Sequence, residues 1–230
     1  MKTFIVCVLV MCACSGDDAG GAAVEVDQLA AELTAASCGK QFECCTSAEI
    51  MATYMGITHD GQPITTEAQC VDFTSAVFTT FAIAKYQTSI EQGRMIYDAA
   101  AAGDCVAAIE DASCAEYGSS QLASMSACRP FLLPQVADGG GCTQDYECTS
   151  DNCEGATNPI DGPSTDGACA PMPGDGEACD ENCADGLYCD GDVCAPLGAI
   201  GDACNVRSAC ASDYCAANMC AEKPLTCDGM

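Results

Sequence analysis

The stretch GDACNVRSACASDYCAANMC, residues 201–220, decides the fold of the C-terminal part of the chain. It opens with Gly-x-x-Cys and holds four cysteines, and two earlier stretches have the same opening and the same number of cysteines. Regular spacing of this kind is an internal repeat. A unit of about twenty residues cannot bury enough apolar surface to fold on a core alone, so disulfides must replace burial. We therefore predict small disulfide-rich modules with short β-hairpins and loops, at 142–169, 179–194 and 204–220.

The composition places the whole chain among disulfide scaffolds. Cysteine accounts for 23 of the 230 residues, a share typical of proteins that fold outside the reducing cytoplasm. Acidic residues outnumber basic ones 34 to 7, and the formal net charge is −27. Because binding to nucleic acid depends on Lys and Arg that neutralise phosphates, this balance argues against nucleic acid as a partner.

The first residues predict export. A short basic start is followed by the apolar run Phe4–Met11, which is too short to span a bilayer but fits the core of a signal peptide. The run MCAC at 11–14 resembles the lipobox of bacterial lipoproteins, which implies cleavage directly before Cys14 and lipid attachment to that cysteine. We therefore expect a lipoprotein signal peptide over 1–13, a flexible tether over 14–23 and an anchor in the cell envelope, at the outer membrane or cell surface. An ordinary secretory signal cut nearby is the alternative.

Cysteine parity fits this processing. Removal of the signal peptide takes away Cys7 and Cys12, and lipidation uses Cys14, which leaves 20 cysteines. An even number suits an oxidising compartment, and we predict that all of them form disulfides. If each module closes on itself, Cys227 must pair with one of the seven cysteines that precede the modules. The predicted disulfide cysteines are Cys38, Cys44, Cys45, Cys70, Cys105, Cys114, Cys128, Cys142, Cys148, Cys153, Cys169, Cys179, Cys183, Cys189, Cys194, Cys204, Cys210, Cys215, Cys220 and Cys227.

The chain divides at a Pro- and Gly-rich stretch, PQVADGGG at 134–141, which we interpret as a linker. Ahead of it, residues 24–133 are Ala-rich and have apolar residues at helical spacing, for example along Val26–Leu33. The predicted fold is thus an all-α, disulfide-stapled N-terminal domain, followed by cysteine-rich repeat modules over 142–230.

Local signals predict where the helices of the N-terminal domain begin. Capping boxes start a short helix at Thr46, running toward Met55, and another helix near Thr66, and Asp98 is the predicted N-cap of a fourth. The third helix has cysteine and apolar residues three or four positions apart, which we assign to its inward face: Cys70, Phe73, Val77, Phe81 and Ala84.

The modules also carry a family resemblance. The stretches GEACDENCADGLYCDGDVCAP from 176 and GDACNVRSACASDYCAANMC from 201 resemble the Dickkopf N-terminal cysteine-rich domain. The chain is also similar to cysteine-rich, myxobacterial-type lipoproteins, through Cys44-Cys45 and the segment 93–98 that leads to Cys105. The resemblance covers most of the mature chain, and it implies a family without implying an activity.

The residues argue against metal, redox and hydrolytic chemistry. Structural zinc sites and thioredoxin-like sites use Cys-x2-Cys pairs, and the sequence contains none. A serine or cysteine hydrolase needs a base, nearly always His, and the single histidine, His59, lies in a His-Asp-Gly turn. We therefore expect no catalytic residue, no bound metal and no cofactor.

Calcium is the one ion that the composition favours. Hard oxygen ligands suit Ca²⁺, although the EF-hand pattern is missing. From Gly139 onward the chain carries 17 acidic and 2 basic residues, so we expect its surface to attract divalent cations weakly. A specific calcium site in the second module is the alternative, formed by Asp175, Asp180, Glu181, Asp185, Asp190 and Asp192.

Together these observations predict a non-catalytic, lipid-anchored envelope protein with a binding or structural role and a protein or surface polymer as partner. Rigid frameworks present loops at low entropic cost, so the loops between cysteines are the expected recognition elements. Two alternatives stay open. One is a secreted protease-inhibitor-like protein that presents the loop 155–168 to a protease. The other is a hydrolase whose site lies in the helical half, residues 24–133.

Overall fold

The fold is taken from a computed structural model, which describes residues 21–119, 128, 130–157, 165–179, 182–222 and 227. The predicted signal peptide, Cys14 and most of the tether lie outside these residues, as do Asp180, Glu181 and the middle of the loop 155–168. The described chain combines helices with very short strands. Its helices are α1 (Leu29–Cys44), α2 (Ser47–Thr53), α3 (Glu67–Phe78), α4 (Ala84–Glu91), α5 (Ala99–Asp111) and α6 (Cys114–Ser119), and a π-helical turn, Thr79–Ile83, joins α3 to α4.

The strands are two to four residues long and pair antiparallel. In the N-terminal half they are β1 (Thr58–His59), β2 (Gln62–Pro63), β3 (Met95–Tyr97) and β4 (Leu132–Pro134), paired as β1–β2 and β3–β4. In the modules they are β5 (Gly141–Cys142), β6 (Cys153–Glu154), β7 (Gly167–Cys169), β8 (Leu187–Asp190), β9 (Val193–Pro196), β10 (Cys215–Ala216) and β11 (Met219–Cys220). The sheet orders are β5-β7-β6, β8-β9 and β10-β11, and 3₁₀ turns occupy Asp145–Glu147 and Arg207–Ala209.

The prediction of an all-α N-terminal domain is only partly right. Helices dominate this half, but the β1–β2 hairpin turns at Asp60 and Gly61, both at positive φ, and β3 pairs with β4 near the end of the domain. Strands of two or three residues are too short to produce an alternating apolar pattern, so the sequence carries no periodic signal for them.

The helix starts follow the local capping signals. Thr46 and Glu49 form a reciprocal capping box before α2, and Thr66 and Gln69 form another before α3. The Asp98 carboxylate accepts a hydrogen bond from the Ala101 amide at 2.9 Å, as expected of an N-cap. Helix α2 ends at Thr53, two residues earlier than its predicted end.

The predicted inward stripe of the third helix is wrong beyond its first turns. Cys70 is buried, but the side chains of Val77 and Phe81 are 39% and 47% exposed, and Ala84 is also exposed. Phe78 and Ile83 pack against the core in their place. The step of five residues between these two corresponds to the wider π-helical turn, which shifts the phase of the apolar face. A constant period of 3.6 cannot anticipate that shift.

The core of the helical half lies between α1 and α5. Leu29, Ala30, Ala102 and Ile109 are almost fully buried there, together with Ile83. Three disulfides staple the helices around this core: Cys38–Cys70 joins α1 to α3, Cys44–Cys114 joins α1 to α6, and Cys105–Cys128 closes off α5. The inward cysteines therefore link helices to one another.

The three modules share one disulfide pattern, in which the first cysteine pairs with the third and the second with the fourth. The pairs are Cys142–Cys153 and Cys148–Cys169, Cys179–Cys189 and Cys183–Cys194, and Cys204–Cys215 and Cys210–Cys220. The disulfide-rich character of the chain and the small β-hairpins of the modules are thereby confirmed.

The glycine that opens each module has a backbone role. Gly139, Gly176 and Gly201 have φ of 84°, 77° and 96°, a region that residues with a Cβ rarely adopt. In each module the amide of this glycine donates to the carbonyl of the fourth cysteine, at 2.7 to 2.9 Å. The Gly-x-x-Cys opening thus folds the start of the module onto its end.

The segment 134–141, interpreted from sequence as a linker, has the backbone pattern of a module opening. Val136 accepts a hydrogen bond from Thr149 at 2.8 Å, as Pro173 accepts one from Ala184 and Gly198 one from Ala211. These three acceptors each lie six positions before the first cysteine of a module. Each module thus begins before its first cysteine, and the first module is joined directly to β4.

Candidate functional site

The first module is fixed to the helical half by a fully buried carboxylate, that of Glu147 in the 3₁₀ turn. The Ser89 hydroxyl on α4 donates to its Oε1 at 2.5 Å, and the Thr143 amide donates to its Oε2 at 2.7 Å. Arg94 Nη1 lies 3.4 Å from Oε2, and the Arg94 side chain is 24% exposed. This junction satisfies the buried charge from both halves of the molecule, as burial of an ion requires.

The electrostatics of the junction favour the ionised form of Glu147. Burial opposes the charge, but the hydrogen bonds from Ser89 and Thr143 and the Arg94 cation outweigh it and lower the pKa of Glu147. Beside it, the Tyr146 ring packs edge-on against Tyr86 of α4 with centroids 5.1 Å apart. Burial raises the pKa of Tyr146, so this phenol stays neutral. The contact therefore combines one paired charge with an aromatic pair.

A second attachment joins the C-terminus to the helical half. Cys227 forms a disulfide with Cys45, which follows α1 directly, and both residues are buried beside Ile50. The Cys227 amide also donates to Glu49 Oε1 at 3.1 Å. Glu49 caps α2 at the same time, and the hydrogen bonds from Thr46 are the main reason that its pKa is lowered. The array of modules is thus held at both of its ends.

Between the first and second modules lies a polar cleft of about 730 Å³. Asp145 joins the two modules across it, because its Oδ2 accepts from Asn182 Nδ2 of the second module at 3.2 Å, while its Oδ1 accepts from the Cys153 amide of its own module at 2.8 Å. Asn152 Nδ2 donates to the carbonyl of Pro171 at 3.1 Å. The polar side chains that line the cleft are those of Thr143, Gln144, Asp145, Asn152, Glu154 and Asn182. Such a lining can recognise a ligand rich in hydrogen-bonding groups.

The twenty cysteines singled out in the sequence pair into ten disulfides. The modules close internally, and Cys227 pairs with Cys45, one of the seven cysteines ahead of the modules. Cys14, the predicted lipidation site, lies outside the described residues.

His59 lies in β1, next to the turn of the β1–β2 hairpin. Its ring contacts Phe73 edge-on with centroids 6.3 Å apart, and its Nε2 lies 3.8 Å from the exposed carboxylate of Asp60. The hairpin position and the packing against an aromatic ring both fit a structural role. The prediction that the chain carries no catalytic residue stays a prediction.

In the described part of the chain, three cysteine triplets are the only groups of three or more His, Cys, Asp or Glu that lie close enough to share an ion. One triplet belongs to each module, and all of these sulfurs are already in disulfides. A cysteine binds zinc as a thiolate, and these sulfurs are bonded to one another, so the triplets fit neighbouring disulfides and do not fit a zinc site. Of the six acidic residues proposed for calcium, Asp180 and Glu181 lie outside the described residues.

Sequence reasoning did not identify Glu147, Asp145 or Ser89 as important. Glu147 lies in a polar run, TQDYE at 143–147, that looks like a solvated loop. A usable signal exists in the repeat itself, because the third module has NVRSA at the equivalent positions 205–209, with Ala209 where the first module has Glu147. An acid at a position where a sister module buries alanine indicates a special contact.

We compared the chain with protein-family models, with curated proteins and with solved structures, and none of the three comparisons gave a match. Among the helices of the described residues, none has both the length and the apolar character needed to cross a membrane.

Proposed function

We propose that the chain is an exported, lipid-anchored, non-catalytic envelope protein that binds a protein or a surface polymer through its modules. The observation that carries the proposal is the joint fixation of the module array, by the Glu147 junction at one end and by Cys45–Cys227 at the other. A binding surface gains affinity when its framework is rigid before the partner arrives, because less conformational entropy is lost on binding.

The polar cleft between the first two modules is the proposed recognition site. Its carboxylate and amide groups, among them Glu154 and Asn152, suit a partner that offers many hydroxyl or amide groups. The resemblance to cysteine-rich lipoproteins and the lipobox-like sequence ending at Cys14 support attachment to the envelope. No observation on the described residues favours the inhibitor or the hydrolase alternative.

The proposal is tested by intact mass of the protein extracted from native membranes, with and without reduction. We expect a mature chain that begins at a lipid-modified Cys14 and gains two hydrogens on reduction for each of the ten disulfides. The variant Cys14→Ala should lose the lipid and leave the membrane fraction. Free thiols in the native material, or an unmodified Cys14 on a chain still bound to membranes, would contradict the proposal.

A further inference from the structure

A second cavity, of about 490 Å³, lies in the helical half, between α1, α3 and β4. Its walls include Leu33, Phe78, Phe131 and Leu132, and the Cys105–Cys128 disulfide also contributes to its lining. These four side chains are only partly buried, so they leave apolar surface in contact with water inside the groove. Exposure of apolar surface to water costs free energy, and an apolar ligand that covers this surface recovers it.

The polar groups of the groove are already occupied within the protein. The hydroxyls of Thr34 and Ser37 donate to carbonyls of their own helix, to Ala30 and Leu33 respectively, at 2.6 Å each. The Thr74 side chain is hydrogen-bonded to Tyr54. A polar ligand group placed here would lose its bonds to water and find few partners, which disfavours polar ligands.

The charge distribution also favours an apolar ligand in the groove. None of the residues identified as lining the groove is charged, although the chain carries 34 acidic and 7 basic residues. The interior is therefore suited to a hydrocarbon chain. The net charge of −27 disfavours an anionic headgroup at the mouth, because the field of the whole protein repels it.

We propose that this groove binds one single-chain lipid with an uncharged headgroup, such as a monoacylglycerol, with its acyl chain between α1, α3 and β4. The volume lies within the range of cavities that hold one small molecule, about 300–1,000 Å³. This inference goes beyond the proposed function, since it concerns the helical half and depends neither on Cys14 lipidation nor on the cleft between the modules.

The test uses the exported chain with Cys14→Ser. This variant has no lipid anchor, so it can be purified without detergent, and it keeps every disulfide cysteine. Isothermal titration calorimetry measures binding of monolaurin, and native mass spectrometry counts the molecules bound. We expect one saturable site for monolaurin, no measurable binding of the short-chain analogue monoacetin, and weaker binding of laurate, whose headgroup is negative. Absence of saturable monolaurin binding, or tighter binding of laurate than of monolaurin, would overturn the proposal.

Two pairs of variants locate the site. Leu132 lines the groove, whereas Leu133 on the same strand lies outside the lining and is 37% exposed, so Leu132→Glu and Leu133→Glu form a matched pair. Phe78→Ser and Phe81→Ser form a second pair, because Phe78 lines the groove and Phe81 does not. We expect the groove variants to weaken monolaurin binding by about tenfold or more and the controls by less than about twofold. Circular dichroism and disulfide mapping establish which variants are folded. Equal affinity in folded Leu132→Glu and wild-type protein would overturn the assignment.

Discussion

Glu147 shows how one residue can set the relation between two parts of a molecule. Its carboxylate is inaccessible to solvent and receives hydrogen bonds from Ser89 in the helical half and from Thr143 in its own module. A buried ion is tolerated only when its partners are in place, so loss of either the carboxylate or its partners leaves an unsatisfied group.

Replacement of Glu147 by alanine should destabilise the protein by about 2–4 kcal/mol, because it leaves Arg94 and Ser89 without their shared acceptor. Guanidinium unfolding of the oxidised protein measures the effect. Glu154→Ala, an exposed acid of the same module, is the control, and its effect should stay within about 0.5 kcal/mol. Equal losses of unfolding free energy in the two variants would mean that the buried junction contributes no more to stability than an exposed acid.

The same carboxylate predicts a pH dependence. Burial raises the pKa of Glu147, but the hydrogen bonds and Arg94 lower it more, so the folded state holds this proton less tightly than the unfolded state. The resulting stabilisation is complete above the usual glutamate pKa, about 4.3, and is lost as the pH falls through the lower folded-state value. The difference in unfolding free energy between wild type and Glu147→Gln should therefore be constant near neutral pH and shrink in acid. Denaturant titrations at several pH values measure this difference, and a gap that widens in acid would contradict the assignment.

The positive φ of Gly176 predicts how alanine at this position changes the stability of the second module. Gly176 has φ of 77°, and a Cβ there would meet nothing within 4 Å, so Gly176→Ala costs only backbone strain, about 1–2 kcal/mol. Gly174 is not at positive φ and a Cβ there would make an ordinary contact at 3.5 Å, so Gly174→Ala should be neutral or slightly stabilising. Hydrogen exchange of the second module distinguishes the two. A larger loss for Gly174→Ala would refute the strain argument.

At the scale of secondary-structure elements, the features that depend on neighbouring residues were predictable and those that depend on distant contacts were not. Thr46, Thr66 and Asp98 cap their helices because a cap is complete within four residues of sequence. The position of Phe81 depended instead on the π-helical turn Thr79–Ile83, which follows α3. The repeat was visible from its cysteines, but twenty cysteines leave their pairing open. Glu147 could not be identified because its role depends on Ser89 and Arg94, more than fifty positions earlier.

Two substitutions at opposite ends of helix α5 should change stability in opposite directions. Asp98→Ala removes the acceptor of the Ala101 amide and should cost about 1 kcal/mol. Asp111→Ala removes an acid from the last residue of the same helix, where negative charge opposes the helix dipole, and should stabilise by up to about 0.5 kcal/mol. Thermal unfolding of both variants measures the two effects, and shifts of the same sign would contradict the assignment.

At the scale of the whole molecule, the polypeptide from Cys45 to Cys227 and the disulfide that joins these residues form a closed covalent ring. The module array leaves the helical half through β4, which pairs with β3, and returns to it through Cys45–Cys227, a disulfide that spans 182 residues. Cys220 and Cys227 are only seven positions apart, so the end of the third module lies within about 25 Å of that disulfide. The modules are therefore kept near the helical half at both ends.

Opening this ring should loosen its ends and leave the modules intact. In Cys45→Ser/Cys227→Ser we expect a loss of stability of about 2–4 kcal/mol and faster hydrogen exchange in α2 and at the amide of position 227, while the second module keeps its protection. The matched variant Cys179→Ser/Cys189→Ser removes a local disulfide. It should speed hydrogen exchange in the second module and leave exchange in α2 unchanged. Hydrogen-exchange mass spectrometry measures both, and unchanged exchange in α2 would show that the long disulfide holds nothing in place.

The disulfide between Cys45 and Cys227 also has a consequence for proteolysis. A single peptide-bond cleavage at any point between these two residues yields two fragments that stay covalently attached to each other. The nicked molecule gains the mass of one water and separates into pieces only after reduction. A cut in a loop such as 155–168 therefore leaves the two fragments joined as one molecule.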